Sequence, residues 1–449
     1  MNTTSLKRCL GLWEIVIYGV GLILGAGIYV LIGAAAGIAG NMLWLAFLVA
    51  ALVASFTALS YAELSAMFPA AGAEFVFARE AFSSRAVAWI TGFCGLVVGF
   101  AAASAVAVGF ARYINFFFPV DTIVAAASLI VLMSFLNYWG IKESARFNAI
   151  ATSVEVGGLV LIIVIGGYQI TGGVTPLADL LKIPPVAPDA WSFLPVVSAG
   201  ALIFFAYLGF EDIANIAEEA QNPHRDLPRA FMYALVISTV VYILVAVVAV
   251  SVVPYQELAA ADQPLALIME KLIGGIAPIL IAVIALFATA NTVLITLIVS
   301  ARMLYGMASD GSMPSSLSKV SHSRYTPYMA VSIAGAASIA FLFFKQLEVL
   351  ASITDVGIFI LFLIVNLSNI LLRVRRPELP RPWRAPFSIG NIPVVSVLGA
   401  FSCVALLVTI NHPVKLFGNE YSSLLVGLTI FAMAVPCYFL FGRRRLPAL

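Results

Sequence analysis

Charge is what this sequence has least of. Asp, Glu, Lys and Arg make up only 10% of its 449 residues, apolar residues make up 62%, and the mean hydropathy is +1.06. A water-soluble domain carries about 25% charged residues, so lipid must be the solvent for most of this chain's surface. The net charge of +2 is too small to indicate nucleic-acid binding.

Cysteine and histidine are also scarce. The four cysteines lie far apart without CxxC spacing, and the three histidines are isolated. No disulfide framework, metal centre or cofactor is therefore expected. The sequence holds no Ser/His/Asp, paired-His or Cys/His constellation, which argues against an enzyme.

Apolar stretches that can cross a bilayer occur twelve times. About 20 helical residues span the hydrocarbon, and unpaired backbone groups are too costly there for anything but helices or closed barrels. These stretches lack the alternation of barrel strands, so the sequence predicts an all-α integral membrane protein. The predicted spans are residues 12–39, 42–68, 86–117, 122–139, 147–167, 193–216, 229–253, 276–307, 328–344, 347–372, 392–410 and 421–441.

Basic residues predict the orientation. If the N-terminus lies inside and the side alternates at each span, nineteen of the 24 lysines and arginines fall in inner segments. A miscount of one span would abolish this asymmetry. We therefore expect one polytopic domain over residues 1–449 in the cytoplasmic membrane, with both termini in the cytoplasm. Residues 69–84 and 264–274 are expected to form an inner amphipathic helix and a short outer helix.

The first span contains four glycines in nine positions, from Gly19 to Gly27. Each costs a helix about 1 kcal/mol relative to alanine. A break at Gly25-Ala26-Gly27 would leave free N–H groups and the positive end of a half-helix, which suit a carboxylate. The alternative is that Gly21 and Gly25 form a GxxxG packing face.

Span six offers a second break at Gly209. The carbonyl groups of Phe205, Ala206 and Tyr207 would then suit a substrate ammonium, with Phe205 and Tyr207 walling the pocket. Carriers often place substrate at interrupted helices in matching positions of two inverted repeats. If five spans form one repeat, spans one and six match, which favours the transport interpretation over simple packing.

Four segments resemble the amino acid–polyamine–organocation superfamily, most closely its cationic amino acid transporter-like branch. They are GLWEIVIYGVGLILGAGIYVLIG, SYAELSAMFPAAGAEFVFAREAF, FFAYLGFEDIANIAEEAQNPHRDLPRA and SARMLYGMASDGSMP. The resemblance implies a leucine-transporter-type fold with 12 transmembrane helices, a 5+5 inverted repeat, and helices 1 and 6 broken. Repeat one would cover about residues 12–167 and repeat two about 193–372, with two further helices at about 392–441.

The same resemblance implies a substrate site shared by the two breaks. Ala26 stands where relatives often have Thr or Ser, and Glu211 replaces a more usual Asp. Glu211 is expected at a vestibule or gate, in the inner half of span six. Matching the carboxylate side are Ile23, Gly25, Ala26 and Gly27; matching the ammonium and side-chain side are Phe205, Ala206, Tyr207, Leu208 and Gly209.

Carboxyl groups within the membrane are the strongest clues to coupling, because an unpaired charge is costly there. Glu155 in span five stands where some proton-coupled relatives have a lysine. It is expected either to couple protons to transport or to serve as a neutral structural group. Asp355 in span ten is expected either to attract a cationic substrate in the outer vestibule or to cap an irregular helix near Gly357.

Other polar groups leave alternatives open. The hydroxyl groups of span eight, from Thr289 to Ser300, either complete a sodium-like site near Glu155 or hydrogen-bond between helices. Glu63, Glu218 and Glu219 lie near inner helix ends, close to Arg79, Arg225 and Arg229. These glutamates either pair across an inner gate or are solvated at the interface.

The sequence thus predicts a secondary active amino acid transporter that works by alternating access, with proton-coupled symport or exchange. Its expected partners are a small amino acid, protons or a counter-substrate, and the lipid bilayer; any accessory subunit is left open. The alternatives are a polyamine or organic-cation exchanger and a transporter-fold sensor without net transport. A passive pore is disfavoured because no span carries a continuous polar stripe.

Overall fold

Long apolar helices make up most of the chain. The computed structural model describes residues 6, 8–173, 176–180, 193–261, 263–344, 347–409, 413–416 and 419–439. In chain order, the helices are α1 Leu12–Ile23, α2 Ala26–Ala39, α3 Leu43–Met67, α4 Ala73–Phe82, α5 Arg85–Ile114, α6 Thr122–Trp139, α7 Ile141–Thr171, α8 Leu194–Ile203, α9 Pro223–Val252, α10 Tyr255–Ala260, α11 Pro264–Ile273, α12 Ala277–Ser309, α13 Tyr328–Phe341, α14 Leu347–Arg375, α15 Val394–Thr409, α16 Ser423–Ala432 and α17 Ala434–Cys437. Shorter 3-10 helices lie at Gly40–Met42, Phe204–Tyr207, Phe210–Glu219, Ser315–Ser318 and Leu342–Phe344.

The apolar helices have the lengths expected of a multi-pass membrane protein. Within the described ranges, nine stretches are long and apolar enough to cross a membrane: Leu12–Tyr29, Leu31–Met67, Arg85–Ile114, Thr122–Trp139, Ile141–Thr171, Leu194–Glu219, Pro223–Val252, Ala277–Ser309 and Val349–Arg375. Three shorter apolar helices follow at Tyr328–Phe344, Val394–Leu407 and Leu424–Cys437. Every predicted span therefore contains helix. The predicted ends at residues 410 and 441 lie outside the described residues.

The structure corrects several predicted elements. Helix α7 begins at Ile141 rather than at residue 147, because it continues as an amphipathic helix with Lys142 exposed and Ser144 buried. Two short antiparallel hairpins were not predicted. Strand β1 (Ser388–Ile389) pairs with β2 (Ile392–Pro393), and β3 (Pro413–Leu416) pairs with β4 (Asn419–Ser422), with Ser388 opposite Pro393 and Val414 opposite Tyr421.

The two predicted connecting helices are both present. Helix α11 matches the short helix expected at residues 264–274. Helix α4 matches the one expected at 69–84, but it does not lie on the surface. Its residues Glu74, Phe75 and Phe77 are buried because α4 packs against α5 and α14. Of its charged residues, Glu74 therefore points into the protein, whereas Arg79 and Glu80 remain partly exposed.

Local capping fixes where several helices begin. The Ser84 side chain accepts a hydrogen bond from the Val87 N–H at the start of α5. Asp121 accepts from Ile123 and Val124 at the start of α6. These side chains satisfy backbone donors that the first turn of a helix cannot pair internally.

Helix packing places the first span at the centre of the bundle. Helix α3 packs along α9, α5 packs along α12, and α1 packs against both α7 and α9. The inner residues of these helices are rich in alanine and glycine, which allows close approach of the backbones. The first span consequently lies beside the polar segment that follows α8.

Candidate functional site

The first span is interrupted where its glycines cluster. Helix α1 ends at Ile23 and α2 begins at Ala26. The Gly25 N–H donates to the Leu22 carbonyl at 3.2 Å. No side chain caps the start of α2. The first-turn N–H groups of a helix lack intrahelical acceptors, so this end offers main-chain donors, and the break predicted in span one is confirmed.

The second interruption lies in span six. Helix α8 passes into the 3-10 turn Phe204–Tyr207, and Leu208 is extended with φ −61° and ψ 144°. Gly209 has φ +115°, a conformation that favours glycine. The chain then continues as the 3-10 helix Phe210–Glu219, a length unusual for this helix type and typical of a functional hinge. The break predicted at Gly209 is confirmed.

The two interruptions touch each other. A Cβ atom on Gly27 would lie 2.7 Å from the Ala206 Cα atom, and one on Gly209 would lie 2.5 Å from Leu22 Cδ2. The Tyr242 hydroxyl lies within hydrogen-bonding distance of the carbonyl oxygens of Ile23 and Ala206, 2.9 Å from the latter. Because it carries one proton, it donates to one carbonyl at a time. Tyr242 thus ties the two breaks together.

A cavity of about 370 Å³ opens between the breaks and helices α5, α12 and α14. Most of its wall is apolar, which is usual for a small-molecule site. Its wall includes these residues from the two breaks: Ile23, Gly27, Phe205, Ala206, Leu208 and Gly209. Six of the nine residues predicted to bind substrate therefore line one cavity.

Two predicted site residues, Gly25 and Tyr207, lie off this wall. Gly25 is the residue at which the break in span one ends, and the side chain of Ala26 lies outside the described part of the chain. Tyr207 was expected to wall the pocket, and this expectation is wrong: its side chain is fully buried and its hydroxyl donates to the Phe47 carbonyl at 3.1 Å. The 3-10 turn places Tyr207 towards α3, whereas Phe205 faces the cavity.

Acidic groups gather at one end of the cavity. Glu74, Glu211 and Asp212 line it together with Asn215. The Tyr61 hydroxyl donates to Glu74 Oε1 and the Asn215 amide to Glu74 Oε2, each at 3.1 Å. Burial raises the pKa of Glu74, and these two hydrogen bonds oppose that shift. Neither Glu74 nor Asn215 was predicted as a site residue. Glu74 lies on α4, which was expected to be an inner amphipathic helix, and Asn215 lies in the 3-10 segment after Gly209.

Glu211, predicted to lie at a vestibule or gate, also shapes the second break. Its Oε2 atom accepts from the Gly209 N–H at 2.9 Å. The Gly209 carbonyl accepts from the Asp212 N–H at 3.2 Å. Glu211 therefore stabilises the start of the 3-10 segment while its carboxyl group faces the cavity.

The hydroxyl groups of α12 bind mainly within their own helix. Thr292 donates to the Ala288 carbonyl and Thr296 to the Thr292 carbonyl. Asn291 instead reaches α7, where its amide donates to the Thr152 hydroxyl at 3.3 Å and its carbonyl accepts from Asn148 at 3.0 Å. Only Asn291 therefore fits the expectation of hydrogen bonds between helices, whereas the bonds of the hydroxyl groups stay within α12.

Glu155 is fully buried in α7, and neither carboxyl oxygen has a hydrogen-bond partner. It does not line the cavity. The Tyr29 hydroxyl, on the cavity wall, is likewise buried without a hydrogen-bond partner. Unpaired buried carboxyl groups are rare because water no longer solvates them. Both roles expected for Glu155, proton coupling and a neutral structural group, stay predictions.

Asp355 lies on α14 one residue beyond the cavity wall. Thr354 lines the cavity and Asp355 does not. The Asp355 Oδ1 atom is buried without a hydrogen-bond partner. Gly357, two residues further along, is packed against Phe431 and Val98. Attraction of a cation by Asp355 stays a prediction.

Two ion pairs are buried in the structure, and the sequence did not predict their partners. Glu63 was expected near Arg79, but it binds Arg373 through both carboxylate oxygens. Glu219 accepts from Arg302 at 2.7 and 3.2 Å. All four of these paired side chains are at most 1% exposed. Interfacial solvation of Glu63 and Glu219 is therefore the wrong interpretation.

The third inner glutamate has a main-chain partner. Glu218 accepts from the Ala71 N–H at 3.0 Å. This bond connects the end of span six to the segment before α4. Glu218 and Glu219, at the end of span six, therefore connect this span to the segment before α4 and to α12.

Comparison with known sequences decides the family. A model of the amino acid permease family matches residues 10–435. The chain belongs to this family. The resemblance of the permease to the amino acid–polyamine–organocation superfamily is thereby confirmed.

Named relatives of the permease are transporters. The branched-chain amino acid permease of Bacillus subtilis (strain 168) is 30% identical to it over 98% of this chain and 94% of the relative. The methylthioribose transporter of the same organism is 28% identical over 99% of this chain and 95% of the relative. The vacuolar cationic amino acid transporter 4 of Arabidopsis thaliana is 32% identical over 83% of this chain and 64% of the relative. Family and relatives together indicate an amino acid transporter rather than an enzyme.

Proposed function

We propose that the permease is a secondary active carrier that moves amino acids across the cytoplasmic membrane by alternating access. One observation carries this proposal: two interrupted helices meet at one cavity, between Gly27 and Ala206 on one side and Leu22 and Gly209 on the other. In this proposal the chain forms twelve transmembrane helices with a 5+5 inverted repeat, and both termini lie in the cytoplasm.

The substrate carboxylate binds at the start of α2. The N-terminus of this half-helix carries no side-chain cap, and its N–H groups and dipole favour negative charge. The substrate ammonium binds at the carbonyl groups before Gly209. The Phe205 carbonyl accepts from the Leu208 N–H, and the Ala206 carbonyl lies near Tyr242. Each carbonyl oxygen has two lone pairs, so a second donor can still bind.

Glu155 couples transport to protons. Its carboxyl group is buried without a hydrogen bond, and no ion pair with a described cation stabilises its charge. A small rearrangement at the first break changes what surrounds Glu155, because α1 packs against α7. The group then exchanges its proton in one state of the carrier and keeps it in the other.

An organic cation or polyamine is the second candidate substrate. The cavity wall contains Glu74, Glu211 and Asp212, and the described lining includes no lysine or arginine. Charge complementarity of this kind favours a substrate with an extra cationic group. Leucine and lysine are therefore the two informative probes, one neutral and one cationic in its side chain.

Uptake by purified permease in proteoliposomes tests the proposal. We expect labelled leucine or lysine to accumulate when the outside is acidified, and to exchange with unlabelled substrate inside. Equilibration without accumulation under any gradient would indicate a passive pore. Binding without any flux would indicate a sensor and would overturn the carrier function.

A further inference from the structure

The start of α4 lies across one end of the cavity. Glu74 on α4, Asn215 in the 3-10 segment of span six and Met303 on α12 line the cavity at this end. Behind them the Ala71 carbonyl group packs directly against α12, since a Cβ atom on Gly306 would lie 2.2 Å from its oxygen. With both termini in the cytoplasm, as proposed, the connection between spans two and three lies inside, so this is the inner end. Substrate that leaves in this direction has to pass these contacts.

Asn215 holds α4 through two hydrogen bonds. Its Oδ1 atom accepts from the N–H group of Ala73, the first residue of α4, at 3.0 Å. Its Nδ2 atom donates to Glu74 Oε2 at 3.1 Å. Gly72 precedes α4 and has no side chain with which to cap the helix. Asn215 therefore supplies from span six the acceptor that the first turn of α4 needs.

The 3-10 conformation brings the groups that face α4 into one row. Side chains three residues apart eclipse each other in a 3-10 helix, so Asp212, Asn215 and Glu218 share one face. Asp212 lines the cavity, and Glu218 accepts from the Ala71 N–H at 3.0 Å. One face of span six therefore forms part of the cavity wall and, further along the chain, binds the start of α4.

The contact between α4 and span six joins two parts of the helix bundle. Helix α4 packs along α5 and α14, and the 3-10 segment packs against α1 and α9. Within the described residues, α5 and α14 themselves barely touch α1 and α9, because the cavity lies between them. Carriers built from repeats alternate access largely by moving one part of the bundle against the other around the site. Bonds that cross this boundary have to break and re-form in each cycle.

We propose that Asn215 is a positioning residue of the transport cycle, whose amide fastens α4 to span six and keeps the inner end of the cavity closed. This role rests on the proposed alternating access. When the carrier opens to the cytoplasm, Asn215 releases Glu74 and the Ala73 N–H, and water that enters the cavity takes its place. No buried polar group is then left without a partner, so the contact can open and close repeatedly.

Accessibility from the cytoplasmic side tests this role. Asn215→Ala removes both hydrogen bonds. Asn366→Ala is the matched control, because Asn366 on α14 is also a buried amide that binds another helix, α3, but it does not line the cavity. Each change is made in a chain whose four native cysteines are replaced by alanine and which carries Val299→Cys on the cavity wall. Inside-out vesicles are treated with a membrane-impermeant thiol reagent, and substrate binding confirms that each variant is folded.

We expect Asn215→Ala to speed the inner-side labelling of the introduced cysteine about tenfold, the factor that the loss of two hydrogen bonds gives in an equilibrium. Asn366→Ala should be labelled at the rate of the parent. Unchanged labelling in an Asn215→Ala protein that still binds substrate would overturn the role of Asn215. An equal increase in both variants would also overturn it, because any lost buried amide would then loosen the bundle.

Cross-linking tests the same contact even if Asn215→Ala does not fold. Ala73→Cys and Asn215→Cys are introduced together and joined by a short bis-methanethiosulfonate reagent. We expect lysine and leucine uptake to stop while both substrates still bind from outside, and reduction of the link to restore uptake. Uptake by the cross-linked carrier at the rate before cross-linking would overturn the proposal. If labelling changes as expected but the parent shows no substrate flux, the inner contact stands and the proposed carrier function fails.

Discussion

Buried carboxyl groups in this permease occur in two different settings. At the ends of helices, Glu63 and Glu219 are held by Arg373 and Arg302 in fully buried ion pairs. In α7, off the cavity wall, Glu155 has no hydrogen-bond partner at either oxygen. All three glutamates are equally inaccessible to solvent, so burial alone does not distinguish them.

The difference between the settings indicates a difference in role. A buried pair with good geometry fixes how two segments assemble, and removing one partner leaves a charge that nothing compensates. An unpaired carboxyl group is free to change its protonation state as its surroundings change. The paired glutamates therefore connect elements of the fold, whereas the unpaired Glu155 is the group to which we assign proton coupling.

The largest effect is expected from breaking a buried pair. Arg302→Met should lower the free energy of unfolding by about 3–5 kcal/mol, because Glu219 would stay buried without a counter-charge. Chemical denaturation in mixed micelles measures this. Arg79→Met is the control, since the Arg79–Asp310 pair is partly exposed and such pairs contribute about 1 kcal/mol or less. Equal losses in both variants would remove the distinction between the two settings.

The next largest effect concerns the contact between the breaks. Gly27→Ala should destabilise the protein by about 1–3 kcal/mol through overpacking and abolish uptake, because the new Cβ atom meets the Ala206 backbone. Gly157→Ala on α7 is the matched control, since nothing lies within 4 Å of its Cβ position. Normal uptake by Gly27→Ala would show that the breaks need not approach so closely.

A smaller effect is expected at the tyrosine that joins the breaks. Tyr242→Phe should lower the free energy of unfolding by about 0.5–1.5 kcal/mol, the usual contribution of one hydrogen bond. It should also weaken substrate binding, because the two breaks lose the side chain that connects them. Equilibrium binding and denaturation measure both. Tyr233→Phe on the same helix is the control, since Tyr233 is 42% exposed. A Tyr242 variant with unchanged affinity would mean that packing alone positions the breaks.

The smallest effect is expected at Asp355. Asp355→Asn keeps the side-chain shape and should weaken lysine binding while leaving leucine binding unchanged, if its charge acts on cationic substrates at a distance. Asn is chosen because Oδ1 is already unpartnered. Equal affinities for both substrates before and after the change would remove Asp355 from the vestibule and leave it a structural role.

Much of the fold was predictable because its signals are local. Twelve apolar stretches and the glycine cluster in the first span follow from residue type alone, since glycine weakens a helix at its own position. The break at Gly209 was also predictable, because span six matches span one if five spans form one repeat. Residue type also predicted a helix at residues 264–274, and α11 differs from this prediction by one residue at its end.

Side-chain direction in the apolar helices was not predictable. Helices that are apolar all round show no polar face, so hydrophobic periodicity does not say which way Tyr29 or Tyr242 points. Tyr207 was misplaced for a related reason, because a 3-10 turn changes which side chains share a face. The isolated tyrosines in apolar spans were the only sequence signal for Tyr29 and Tyr242.

The partners in the two buried ion pairs could not be predicted from the sequence either. Glu63 and Arg373 are 310 residues apart, and Glu219 and Arg302 are 83 apart. Proximity in the sequence suggested Arg79 for Glu63, whereas the fold brings α14 against α3. Only the packing of distant helices decides such partners.

Competition in proteoliposomes tests the central claim most directly, namely that main-chain groups at two broken helices hold an amino acid by its two charged ends. Labelled leucine uptake would be measured against unlabelled leucine, isoamylamine, which lacks the carboxylate, and N-acetylleucine, which lacks the ammonium. The account predicts that only leucine competes. Equal competition by either analogue would contradict it, because one of the two breaks would then have no group to bind.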